Sequence, residues 1–409
     1  MRAHERFLRY IKINTQSDET SGTHPSFKGE FTLAEMLKAE LEEMGVVAEV
    51  DDRCYLMAHI PATSGYEDAP AIGFISHLDS APGCSGENIK PIIHENYDGG
   101  DVEYPCGKVM RVRDFPILSR LKGETLITSD GTTLLSADDK SGISEIMTAI
   151  EILMKEDIPH GKLCIAFTPD EEIGEGADFF DVKKFGADYA YTVDGGDVHE
   201  MEYENFNAAS AKIKIHGVPV HPGTAKGVMV NAVNVAIELH LMLPADMRPE
   251  NTEGYEGFFH LTHLLGECES AEMSYIIRNH DRGRFEEMKN MMTAAAEAIN
   301  EKYGPGTVEL DLSDSYYNML EIIKKNMHLV ETAEAAINVA GLEAVSVPIR
   351  GGTDGARLSY MGLPCPNLGT GGFNFHGPFE CITAERMDRA VTVILSIIEQ
   401  YARRKGNML

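Results

Sequence analysis

The sequence contains no C-x-x-C pair, and its seven cysteines, at positions 54, 84, 106, 164, 268, 365 and 381, are an odd number. That argues against a disulfide framework and against a thiolate zinc site, and it suits buried or incidental thiols in a reducing compartment. Basic residues are scarce: 36 Lys and Arg stand against 65 Asp and Glu, a formal net charge of -29. Such a surface repels phosphate backbones and anionic headgroups, which opposes non-specific binding to nucleic acid or anionic membranes, and neither is expected as a partner. No apolar run approaches the ~18 residues of a membrane span. The opening MRAHERFLRYIKINTQSD lacks the uninterrupted apolar stretch of a secretory signal. There is no internal repeat and no low-complexity tract. A cytoplasmic enzyme or binding protein is the expectation.

What the chain does have is ample apolar material: 409 residues, 43% hydrophobic and 25% charged, enough for two domains. Helical spacing marks 4–13 and 31–44, the second stopping at Gly45, and a further helix is expected over 142–155. Short apolar strands are expected at 71–75, 162–168 and 189–193. Strands alternating with helices predict an α/β fold, a mixed-sheet domain with helices on both faces. The pattern then changes. From AKIKIHG at 211 to TVELDLS ending at 313, the order reads β-α-β-β-α-β, a ferredoxin-like unit. It predicts an inserted domain at 207–318, with 1–206 and 319–409 forming the outer, discontinuous domain. Segment 81–123, rich in Pro, Gly and Asp, predicts a small β excursion near the site.

The chemistry-bearing residues recur at strand ends. His77 and Asp79 in ISHLDS are two apart on an extended segment, so both can face one point. Asp138 and Asp139 stand side by side in LLSADDKSG, where mutual repulsion calls for positive charge nearby. Glu171 and Glu172 adjoin in TPDEEIGEGA, with Gly174 and Gly176 implying a tight backbone; one can bind metal while the other moves a proton. Asp194 follows the apolar run in YTVDGG, and His376 lies in the Gly-rich GTGGFNFHGPFE. Each alone fits a polar loop or turn; recurrence at the carboxyl ends of strands, where α/β sheets hold ligands, gives them weight. Carboxylates and imidazoles without thiolates suit Zn, Co or Mn. One aspartate can bridge two ions ~3.5 to 4 Å apart.

Taken in order, H-L-D, S-A-D-D-K-S-G, D-E-E-I-G-x-G-A, V-D-G-G and N-F-H-G-P-F-E resemble the zinc-dependent M20 family of exopeptidases over nearly the whole chain. More narrowly, KPIIHENYDGGD, LKGETLITSDGTTLLSADDKSG and HGVPVHPGTAKG resemble its cytoplasmic aminotripeptidases. The resemblance implies two Zn2+ per subunit, with Co2+ or Mn2+ as substitutes. Asp138 would bridge them, with His77 and Asp194 on one ion and Glu172 and His376 on the other. It implies a cis peptide between Asp138 and Asp139, Asp79 as the orienter of His77, and Glu171 as general base and acid. His221 would support the oxyanion, while Arg350, with Arg278 as a second candidate, would hold the peptide carboxylate. A homodimer through the inserted domain is implied as well. The expected activity is removal of the first residue of a tripeptide. The same metal set would serve a dipeptidase, a carboxypeptidase or an N-acyl amino acid hydrolase. A non-catalytic metal- or peptide-binding protein is disfavoured, because binding has no need of Glu171.

Overall fold

The computed structural model describes residues 1–404. The chain divides into two units, one of Met1–Tyr203, Glu321–Val347 and Thr353–Leu409, the other of Glu204–Leu320 and Pro348–Gly352. The second unit therefore takes in a short stretch, Pro348–Gly352, that the sequence pattern assigned to the outer domain.

The first unit is built on an eight-stranded mixed sheet, ordered Val47–Val50, Leu56–Ile60, Leu163–Thr168, Ile72–His77, Tyr189–Gly195, Asn367–Gly369, Glu200–Glu202, Val345–Ser346. The four strands from Leu163–Thr168 to Asn367–Gly369 run parallel. Leu163–Thr168 and Ile72–His77 are buried along their full lengths, as expected of parallel strands covered on both faces. The covering follows from the alternation of side chains. Ser76 points to the helix Ala137–Lys155, where its hydroxyl meets Asp139. Ile75 points the other way, into a cluster with Tyr55, Phe180, Phe185, Leu358 and Leu363. Gly142 permits the close approach of that helix to the sheet, since a Cβ there would lie 1.9 Å from the Val193 carbonyl oxygen.

Segment 81–123 forms its own small body. Ile92–His94 joins Leu126–Thr128, Cys381–Thr383 and Gly372–Phe373 in a four-stranded sheet, and Val102–Glu103 pairs with Val109–Met110. Tyr97, Tyr104, Met110, Leu118 and Leu121 form its core together with Leu126 and Cys381. The excursion is thus anchored to the strands that flank the His376 loop.

The second unit is a four-stranded antiparallel sheet, ordered Phe258–Gly266, Ser270–Asn279, Asn207–His216, Val308–Tyr316. Its helices are Ala232–Met242 and Arg282–Tyr303, which gives the β-α-β-β-α-β order. Alternation along Ser270–Asn279 buries Met273, Tyr275 and Ile277 against Val235, Leu239, Phe285 and Met288. Each such side chain contributes roughly 1.5–3 kcal/mol of burial free energy.

Candidate active site

Register determines which side chains meet. Ile75 is level with Thr192 and His77 with Thr168, so His77 and Asp194, two residues beyond Ile75 and Thr192, end their strands side by side. The turn Glu171–Ile173 follows Thr168 at once, and the His376 loop follows Asn367–Gly369. Asp138 enters from the start of the long helix, where Asp138 and Asp139 have non-helical backbone angles and the peptide bond between them is cis.

The distances are short. His77 Nε2 lies 2.8 Å from Asp138 Oδ1 and 3.4 Å from Asp194 Oδ1. His376 Nε2 lies 2.9 Å from Asp138 Oδ2 and 3.1 Å from Glu172 Oε2. Each oxygen of Asp138 therefore faces a different histidine. The ligand atoms of His77, Asp138 and Asp194 fall within 4.8 Å of one another, and so do those of Asp138, Glu172 and His376.

Charge decides what such a cluster needs. Burial would raise Asp138, but hydrogen bonds with His376 and His77 outweigh it and hold the carboxyl below its usual range. Burial pushes Asp194 up to about 6, His77 opposing, and burial and Asp138 push Glu172 up to about 7. Burial would lower His77, yet Asp194 and Asp138 raise it well above the ordinary imidazole value. Asp138 and Glu172 push His376 up to about 11. Positive charge is thus favoured at two points, one facing each Nε2, and divalent cations satisfy that demand with ligands of the right hardness. Glu172 Oε1, buried and without a hydrogen-bond partner, is a further donor atom available to a cation. The donor set fits a dinuclear metal site.

Asp79 does more than orient an imidazole. His77 Nδ1 lies 3.1 Å from the Asp79 carbonyl oxygen and 3.2 Å from Oδ1, which leaves Nε2 facing the centre. The Asp79 carboxylate also accepts the backbone N–H groups of Glu171 and Glu172, at 3.0 and 3.1 Å. One buried aspartate thereby couples a histidine to the paired glutamates. Glu171 is raised well above the usual carboxylate range by burial, then by Asp194.

Several supporting residues lay outside the motif-based reading. Glu380 is 1% exposed and accepts backbone N–H bonds from Leu135 (2.7 Å), Ser136 (2.9 Å) and Asp138 (3.0 Å). Asp170, ahead of the paired glutamates, accepts the Ser26 N–H, and its own N–H donates to Glu30. His24, Asp170 and Glu175 form a third group of potential ligand atoms, but the Asp170 carboxylate is already committed to tying segment 24–26 to this turn. Lys140 is fully buried and donates to the Ile13 carbonyl; burial pushes its ammonium down to about 7 against the pull of Glu380, Asp79 and Glu30. Asp354 accepts the Thr168 hydroxyl at 2.8 Å, and a Cβ on Gly176 would lie 2.4 Å from its oxygens, which explains the glycine. The local signals were the lysine directly after the aspartates, the aspartate that opens D-E-E-I-G-x-G-A, and the acid closing HGPFE.

The remaining candidates belong to the second unit. His221 caps the turn Pro222–Thr224, its Nδ1 accepting the Gly223 N–H. Arg350 donates to the carbonyls of Gly254 (2.6 Å) and Glu256 (3.1 Å) and to the Thr252 hydroxyl (3.0 Å). Arg278 donates to the Arg350 carbonyl at 3.2 Å.

Comparison with known proteins adds the family. Residues 203–307 match the model of a peptidase dimerisation domain. Among solved structures, the aminopeptidase PepT from Bacillus cereus aligns with a TM-score of 0.80 at 23% identity, covering 98% of each chain. A dinuclear metal binding peptidase of the M20 family from Bacillus subtilis aligns at 0.65 and 14% identity, covering 97% of this chain and 98% of that one; these two likenesses speak for the fold. Among curated sequences, peptidase T of Clostridium novyi is 55% identical over 97% of this chain and 98% of its own. Peptidase T of Vibrio parahaemolyticus is 52% identical over 98% of this chain and 99% of its own. With more than half of all positions shared along nearly the full length of such relatives, this chain belongs to the peptidase T family.

Proposed function

We propose that the protein is a dizinc aminopeptidase that removes the N-terminal residue of tripeptides. The observation that carries this reading is the pair of three-residue clusters sharing Asp138, with Glu171 held beside them by Asp79. His77 and Asp194 would hold one ion, Glu172 and His376 the other, and Asp138 both; Co2+ or Mn2+ are the substitutes. When bound, such a pair supplies Lewis acidity and brings the pKa of water toward neutrality.

The remaining work falls to the chain's own groups. Glu171 takes the proton from the attacking water and delivers it to the leaving amine, a role suited to a carboxylate whose proton affinity is raised by burial. Asp79 keeps Glu171 and His77 in register. His221 is the proposed donor to the developing oxyanion. Arg350 is the proposed anchor of the peptide carboxylate, with Arg278 as the second candidate. Arg350 would exchange neutral carbonyl partners for a carboxylate, which makes the stronger, charge-assisted bond. The match over 203–307 supports a homodimer through the inserted unit. The acidic net charge of -29 fits a protein that meets short peptides in the cytoplasm rather than nucleic acid or membrane. Among the described residues no helix is long and apolar enough to cross a membrane.

The test compares purified protein on free-amine tripeptides, dipeptides and N-acylated amino acids, before and after chelation. Tripeptide hydrolysis that disappears on chelation and returns with Zn2+ is the expected result. Turnover of N-acylated amino acids alone would overturn the aminopeptidase reading.

A further inference from the structure

The turn that carries Glu171 and Glu172 is gripped by its backbone. Three successive N–H groups, those of Asp170, Glu171 and Glu172, are accepted by Glu30 Oε2 at 3.1 Å, Asp79 Oδ1 at 3.0 Å and Asp79 Oδ2 at 3.1 Å. Glu30 is fully buried and belongs to the first turn of the helix Gly29–Glu43. Its other oxygen accepts the Phe27 N–H at 3.2 Å. The start of that helix is itself fixed, because a Cβ on Gly29 would lie 2.0 Å from the Asn14 carbonyl oxygen. Asp170 has a φ of 56°, a conformation that a residue other than glycine keeps when its surroundings hold it there. Its buried carboxylate accepts the Ser26 N–H on both oxygens, at 3.0 and 2.8 Å, and His24 Nδ1 lies 3.0 Å away. Bonds thus run both ways between segment 24–30 and the residue directly before Glu171.

Resting on the reading of the preceding subsection, we infer that Glu30 is a positioning residue for the reaction: through Asp170 it sets where Glu171 stands as base and where Glu172 stands as ligand of one ion. Both Asp79 bonds come from a single carboxylate, which can swing together with the turn it holds. A third bond from a separate helix removes that freedom, and Glu30 supplies it. Positioning of this kind acts on the proton-transfer geometry without contact to the reacting atoms. Among the clustered side chains only Glu172 sits on this turn, so releasing Glu30 acts on the group Asp138, Glu172 and His376 and spares the group His77, Asp138 and Asp194. Burial, then Asp79 and Asp170, push the Glu30 carboxyl up to about 10. It therefore joins the acid cluster as a neutral group, and an amide is its nearest mimic.

The experiment compares the wild type with Glu30→Ala, Glu30→Gln and a control on the same helix, Glu40→Gln, which disturbs a buried bond to Arg6 away from the turn. Three readouts are taken: calorimetric titration of the metal-free full chain with Zn2+, amide hydrogen exchange over residues 170–172, and tripeptide kinetics of the metal-loaded protein. Glu30→Ala is expected to weaken one of the two ions about 10- to 100-fold and to leave the other within about twofold. Exchange over 170–172 should quicken, and kcat should fall by about 10²-fold with KM little changed. Glu30→Gln keeps one acceptor oxygen and should show the same pattern at smaller size, which serves where the alanine variant does not fold. Glu40→Gln should lower the thermal midpoint and move neither ion nor kcat. Equal weakening of both ions by the Glu30 variants, or lower stability with unchanged exchange over 170–172, overturns the positioning role. The one-ion response in a protein that cleaves no tripeptide would leave Glu30 its hold on the turn and sink the aminopeptidase reading instead.

Discussion

Glu171 and Glu172 share a turn and a backbone partner in Asp79, yet their side chains have different surroundings. Glu172 reaches His376 at 3.1 Å, whereas Glu171 feels chiefly burial and Asp194. The proposed division of labour follows: Glu171→Gln is expected to keep two metal ions per chain while turnover falls about 10²- to 10⁴-fold, since only proton transfer is removed. Asp138→Asn should lose metal as well, because an amide offers one oxygen where the carboxylate now faces two histidines. Metal analysis beside kinetics separates the two cases, and a Glu171 variant with full turnover would refute the assigned base. At this scale the motifs made the clustered residues legible, since Asp194 stands at the end of one apolar strand and Glu172 in the turn just after another. They could not show which other acids are buried. Asp170 and Glu30 bond across 140 residues of sequence, and nothing local distinguishes them from solvated turn carboxylates.

Elements turn those residues into a site, and one side chain joins two of them. Glu380, just past the His376 loop, uses both oxygens to hold the N–H groups of Leu135, Ser136 and Asp138, in a segment where Ser136 has a positive φ of 62°. Glu380→Gln leaves one acceptor oxygen and turns an amide nitrogen toward a backbone donor, stranding at least one buried N–H at a cost of about 1–3 kcal/mol. The expected outcome is lower stability in denaturant together with weaker metal binding on titration of the metal-free protein. Unchanged metal affinity would show that the Asp138 segment holds its shape without this staple. Element boundaries explain what was harder to read. The helix expected from residue 142 begins at Ala137, because the aspartates sit inside its first turn with non-helical angles that periodicity cannot register. Strands Val47–Val50 and Leu56–Ile60 went unrecognised for another reason. They are short and lie at the sheet's margin, where burial is supplied by tertiary neighbours.

The whole molecule carries a formal net charge of -29, so acidification lowers its self-repulsion at first. Specific carboxylate pairs set the limit. Glu151, on the helix Ala137–Lys155, meets Lys155, the terminal amine and Arg6, and Arg6 is itself 2% exposed and bonded to Glu40 and Thr148. Burial alone would raise the Glu151 pKa, but these cations outweigh it and bring the carboxyl from 4.5 to about 2. A depressed pKa in the folded state means that the folded protein binds fewer protons than the unfolded chain. Stability from this group is therefore fully present above about pH 4.5 and is lost as pH falls toward 2. Glu151→Gln is expected to cost about 1–2 kcal/mol at neutral pH, the partial exposure of the site screening the rest. The difference from wild type should shrink steadily below pH 4.5 and vanish near pH 2. Denaturant unfolding at a series of pH values checks this, and a deficit that stays constant down to pH 2 would mean that Glu151 acts through packing rather than charge.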